Sequence, residues 1–120
     1  MSRLLDEDAL HDLLTSVGRD EGARSRFARD FVSLWETRVR RLTNALDRRD
    51  AEETHVVLLS IRSSSKMIGA QVIEATASLM HSSLDRQDFE GCTRHLSRLD
   101  QVGLETCVEL DVRFGLTSNA

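Results

Sequence analysis

The chain has no proline, no tyrosine and only five aromatic residues in 120 positions: Phe27, Phe31, Trp35, Phe89 and Phe114. Without proline nothing forces a helix to break, and 30% charged with 40% hydrophobic residues fits a soluble, largely helical protein. Its two cysteines, Cys92 and Cys107, are too few and too widely spaced for a zinc site or a disulfide framework. Both fall in an apolar-periodic segment and read as buried free thiols. The six glycines build no phosphate-cradling loop, and no paired catalytic carboxylates or nucleophile triad is visible. No apolar run is long enough to span a bilayer, and the opening MSRLLDEDAL is not that of a signal peptide. A cytoplasmic protein without membrane attachment is therefore expected. The net charge of −4 argues against general nucleic-acid binding. At 120 residues the chain reads as one domain, 1–120, large enough to bury a core without disulfides or metal.

What is present is helical periodicity, in five segments with no internal repeat and no linker. The first runs from about Asp6 to Val17, with Leu10, Leu13, Leu14 and Val17 as its stripe and Gly18 as its end. The second runs from about Asp20, its cap, to Arg48, with Phe27, Phe31, Leu34, Leu42, Ala45 and Leu46 at helical spacing. The third runs from Ala51 to Met67. Asp50 is its cap, Glu53 completes a capping box, and Gly69 closes it. The fourth, Gln71 to Leu84, carries Val72, Ile73, Ala75, Ala77, Leu79 and Met80. The fifth opens near Asp88 and runs to Phe114, with Phe89, Cys92, Leu96, Leu99, Gly103, Cys107, Leu110 and Phe114 as its stripe. The tail LTSNA is expected to fray. Short connections favour antiparallel neighbours, so an all-α, up-and-down four-helix bundle is expected, with the short first helix covering one end.

The third helix separates into two faces at about 100° per residue. With Ile61 at zero, Val57, Leu58, Ser64, Ser65 and Ile68 fall within roughly 60° of it, on the core face. Leu59 falls about 160° away, and His55, Arg62, Ser63 and Lys66 share its outward side. A solvent-facing leucine ringed by His, Arg, Lys and a small residue is the expectation. One exposed leucine alone needs no explanation.

The stretch LLSIRSSSKMIGA, Leu58 to Ala70, resembles the signature of histidine phosphotransfer (HPt) domains, roughly A-H-[ST]-L-K-G-[SA]-[SA]-x-x-[IL]-G-A. Aligned without a gap, Ser60, Ile61 and Arg62 stand at its Thr, Leu and Lys, and Ser63 replaces its Gly. Ser64 and Ser65 match the small pair; Ile68, Gly69 and Ala70 match the end. The phosphoacceptor histidine is replaced by Leu59. The likeness extends to LLDEDALHDLL, similar to the family's first helix, and to DFVSLWETRVRRLTNALDRRDAEE, similar to its second helix and following turn. A slip of four residues, which would bring His55 to the acceptor position, breaks the match of Gly69-Ala70 and of the serines.

The resemblance implies an HPt-like bundle acting in two-component phosphorelay signalling. The family's histidine takes a phosphoryl group from one receiver-domain aspartate and passes it to another, in a reaction that needs a neutral imidazole nitrogen free to attack in line. Leu59 has no nucleophile, so the expectation is a phosphorylation-incompetent, non-enzymatic domain without cofactor. It would dock a response-regulator receiver domain or a hybrid histidine kinase through His55, Leu59, Arg62, Ser63 and Lys66. Arg62 retains the cation and Ser63 is small enough for close approach. Two alternatives stand beside it. His55, one turn before Leu59 and about 6 Å along the helix, is a displaced phosphoacceptor; or the bundle is an interaction module whose Leu59 face forms a homodimer or binds a non-receiver partner.

Other residues have plainer readings. His11, His81 and His95 show no metal-ligand spacing and read as surface or partly buried histidines. Ser64 and Ser65 read as helix-packing residues. Asp6, Glu7 and Asp8 suit a helix N-terminus, and Arg38, Arg40, Arg41, Arg48 and Arg49 read as solvated surface partly balanced by acids.

Overall fold

The computed structural model of the protein describes residues 4–8, 10 and 21–116. Five helices are fully described: α1, Glu21–Asp47; α2, Ala51–Ile68; α3, Gln71–Asp85; α4, Phe89–Arg94; and α5, Leu96–Phe114. There is no strand among the described residues. The helices form a bundle in which α1 packs on α2 and α5, α2 on α3, and α3 on α4 and α5. The pairing is antiparallel where side chains reveal it. Arg41 near the end of α1 meets Glu53 near the start of α2, and His81 late in α3 meets His55 early in α2. Of the expected first helix, Glu7, Asp8 and Leu10 are helical. Leu13, Leu14, Val17, Gly18, the Asp20 cap and His11 lie outside the described residues. Leu5 and Leu10 join the core, and the Asp6 N–H donates to Gly69 O.

The three turns between α1 and α4 share one geometry. At each, a residue one or two places past the helix is left-handed: Arg49 (φ 54°), Gly69 (φ 77°) and Gln87 (φ 59°). Its N–H bonds back three residues, and the next N–H bonds back five. These are Arg49 to Leu46 O and Asp50 to Ala45 O, Gly69 to Lys66 O and Ala70 to Ser65 O, Gln87 to Leu84 O and Asp88 to Ser83 O. This is the Schellman closure, which satisfies the last helical carbonyls. After Arg49 and Gln87 an aspartate caps the next helix, Asp50 accepting from Glu53 N–H and Asp88 from Gly91 N–H. The matched segments DRRDAE and DRQDFE thus make matched turns. The expected capping box at Asp50 is half formed, because the Glu53 carboxylate turns to Arg41, 2.7 Å away.

The expected fifth helix is interrupted. His95 takes a turn conformation (φ −89°, ψ −7°), and its N–H bonds Cys92 O, a tighter i→i−3 closure that divides α4 from α5. Apolar spacing runs on unchanged across the break, through Phe89, Cys92, Leu96 and Leu99, so periodicity gives no sign of it. Leu34 also departs from the expected stripe of α1. It is exposed, and Ala28 and Trp35 are buried in the core with Phe31, Leu42, Ala45 and Leu46. Gly103 on α5 is the reason, since the indole of Trp35 lies where a Cβ at 103 would stand. On α3, Ile73, Ala77 and Met80 are fully buried, whereas Ala75 and Leu79 face outward. Cys92 and Cys107 are buried free thiols, and burial pushes each up to about 11.

Candidate functional site

Helix α2 presents the two faces that its periodicity implies. Val57, Leu58, Ile61, Ser65 and Ile68 are buried against the rest of the bundle. Ser64 is half-buried, and its hydroxyl donates to Ser60 O, 2.8 Å away. Leu59 is 49% exposed, and His55, Ser63 and Lys66 are exposed beside it. Val56 and Met67 add exposed apolar surface along the same helix. Four of the five candidate docking residues thus open to solvent on α2. Arg62 is the exception, being half-buried.

Arg62 leans toward α3. Its Nη1 lies 3.0 Å from Nδ1 of His81, and its Nε, shielded from solvent, finds no hydrogen-bond acceptor. His81 is buried, only 6% exposed, where a surface or partly buried side chain was expected. Its Nε2 lies 3.0 Å from Nδ1 of His55, with the two rings 4.8 Å apart and tilted by 49°. Reflecting α3 back along α2 about the Gly69–Ala70 turn sets residue 81 level with residue 58, between 55 and 62. The antiparallel hairpin is therefore what brings these three side chains together.

The protons in this chain are assigned by elimination. A guanidinium can only donate, so His81 Nδ1 must accept. Neutral His81 then carries its single proton on Nε2 and donates to His55 Nδ1. Neutral His55 is left with its proton on Nε2. Both lone pairs of the imidazole pair are occupied, and the outward nitrogen of His55 bears hydrogen. In this arrangement His55 offers no lone pair for in-line attack on a phosphoryl group. Burial holds His81 below the ordinary imidazole range; the neighbouring His55 and Arg62 add to this, and Asp85 and a hydrogen bond to the His55 backbone oppose it.

No protein-family model, curated protein or solved structure matches this chain. The chemistry of the site is therefore argued from its own residues. Among the described residues no three His, Cys, Asp or Glu side chains cluster as metal ligands. The site is a face rather than a cleft. An open groove of about 340 Å³ lies between α1 and α5, lined by Trp35, Val39, Arg40 and Leu104 among others. A second, of about 390 Å³, is lined by residues of α1 and α4 with Arg49 of the intervening turn. A convex apolar residue edged by basic groups suits docking against a complementary surface better than it suits enclosing a small substrate.

The basic residues of α1 and of the turn after it behave unequally. Arg40 pairs with Glu36 at 3.1 Å, Arg41 with Glu53, and Arg48 with Asp50 at 3.9 Å, all at the surface. Arg49 stacks over the Phe89 ring at 5.6 Å. Arg38 is half-buried, and burial lowers its affinity for the proton. Toward the other end of the bundle Arg113 bonds Glu7 at 2.7 Å, which holds the Glu7 carboxyl below its usual range and ties the N-terminal segment to α5.

Proposed function

We propose that this chain is an HPt-like docking domain of a cytoplasmic two-component phosphorelay, unable to carry phosphate, whose partner is the receiver domain of a response regulator or hybrid histidine kinase. The observation that carries this reading is Leu59. It stands at the phosphoacceptor position of the HPt-like motif and is exposed at the centre of the outer face of α2, flanked by His55, Ser63 and Lys66. An apolar side chain in that place fills the mouth of an acidic receiver pocket without supplying a nucleophile. Arg62 and Lys66 complement the pocket's charge. The left-handed Gly69 that closes α2, at the motif's Gly-Ala end, adds support.

The experiment is a transfer assay with radiolabelled phospho-receivers, recording both label on this protein and complex formed. A complex without label is the expected result, and Leu59→Asp abolishes it. Unchanged affinity in Leu59→Asp removes this face from the proposal. Label on the wild type that disappears in His55→Ala overturns it in favour of a displaced acceptor.

Self-association has a separate observation in its favour. Leu104, Val108 and Val112 of α5 are all exposed, at i, i+4 and i+8 on one side of the helix. A concentration-dependent mass in light scattering that Val108→Asp abolishes and Leu59→Asp leaves intact supports a homodimer through α5. A constant monomer mass removes it.

A further inference from the structure

We infer that His81 is a proton-controlled latch: neutral, it holds Arg62 in the seam between α2 and α3; protonated, it releases the guanidinium toward the Leu59 face. The lone pairs of the two imidazoles set the limit. The hydrogen-bond chain runs from Arg62 Nη1 to His81 Nδ1 and from His81 Nε2 to His55 Nδ1, each step 3.0 Å. It accommodates one proton on each imidazole and no more. An added proton has only the two Nδ1 lone pairs to enter, and both are in use. A proton on His81 Nδ1 sets an N–H against the guanidinium N–H and expels Arg62. That bond of the chain breaks and a positive charge is added in the seam.

The surroundings make His81 the controlling member. It is 6% exposed, and Arg62 has no acceptor at Nε to hold it in the seam once Nδ1 is lost. The charged or titratable groups that shift His81 are His55 and Arg62 from α2 and Asp85 from α3 itself. His81 is thus a positioning residue. It sets whether the guanidinium lies along the seam or is available to an acidic partner. The consequence for docking rests on the receiver-binding reading above; the latch does not.

Nitrogen-15 NMR of the free protein tests the latch directly. At about pH 8 a through-hydrogen-bond coupling should link His81 Nε2 to His55 Nδ1, with both histidines protonated at Nε2. Lowering the pH toward about 5 should shift the Arg62 guanidinium resonances in step with protonation of His81. His81→Gln retains an acceptor for Arg62 and a donor for His55 but does not titrate. In that variant the Arg62 resonances should ignore pH over the same range. Absence of the coupling at the high pH, or Arg62 resonances indifferent to His81 protonation in the wild type, overturns the latch. With a receiver that forms the complex, wild-type affinity should rise by about 2–5-fold on acidification and that of His81→Gln should stay flat. If no receiver binds, the docking reading fails and the NMR result still decides the latch.

Discussion

Gly103 and Trp35 show how much one missing side chain determines. The indole occupies the space of the absent Cβ, so Gly103→Ala forces a ring that is 2% exposed to move within a packed core. A loss of about 1–3 kcal/mol in urea denaturation is expected, with Trp35 fluorescence reporting the shift. Leu59 is the opposite case. Leu59→Asp should leave stability within about 0.5 kcal/mol, because the residue is half exposed and outside the core. Loss of receiver binding with an unchanged unfolding curve separates a docking role from a packing role. Leu59→His asks the converse question, since restored transfer would show that the docking geometry is intact. Both faces of α2 were legible from helical angles, because one helix suffices to assign inward and outward sides. His81 was not. Its role depends on Arg62 and His55, which lie 19 and 26 residues away in sequence and meet it only across the hairpin.

The helices themselves follow from local sequence, and their ends lie within a residue or so of those implied by caps and periodicity. Two features of the connections do not follow so simply. Left-handed closure was expected at Gly69, the usual residue for it, yet Arg49 and Gln87 adopt it too. Each is held there by the bond its successor makes back to the preceding helix and by the Asp cap that starts the next one. Gln87 bears the conformational cost without the ring contact that Arg49 gains from Phe89. Gln87→Gly should therefore stabilise the protein by about 0.5–1 kcal/mol, measured as a raised urea midpoint with an unchanged slope. A lowered midpoint would show that the side chain contributes more than the backbone strain costs. The break at His95 is the other feature. It preserves the apolar spacing on both sides, so only the packing, α4 mainly on α3 and α5 mainly on α1, reveals it.

Over the whole molecule, buried titratable groups set the pH range of stability. Folding lowers the proton affinity of His81 from its ordinary 6.5, so just below that pH the unfolded chain holds more protons than the folded one. Stability should fall as the pH drops from about 6.5 through the lower folded value, and His81→Gln should flatten that limb of a denaturation series. At the alkaline end the sign reverses. Cys92 and Cys107 are raised from 9.0 to about 11 on folding, so stability should decline as the pH rises from 9 toward 11. Replacing both thiols by alanine should remove that decline, at the expense of packing. Among the described residues no helix is long and apolar enough to cross a membrane. The larger exposed apolar side chains lie mainly on α2 and α5, where association would act.

Sequence alone determined the helical class, the ends of most helices, the burial of the thiols and the outward direction of Leu59. Each of these depends on spacing within one segment, where the geometry of a helix fixes the answer. Tertiary structure decided the exchange of Trp35 for Leu34 in the core, the interruption at His95 and the chain of hydrogen bonds from Arg62 through His81 to His55. Each of those depends on what a neighbouring helix brings: a hole at Gly103, a shift of the main packing partner from α3 for α4 to α1 for α5, and an imidazole set level with Leu58. Periodicity states which way a side chain points, and only the docking of two helices states what it meets.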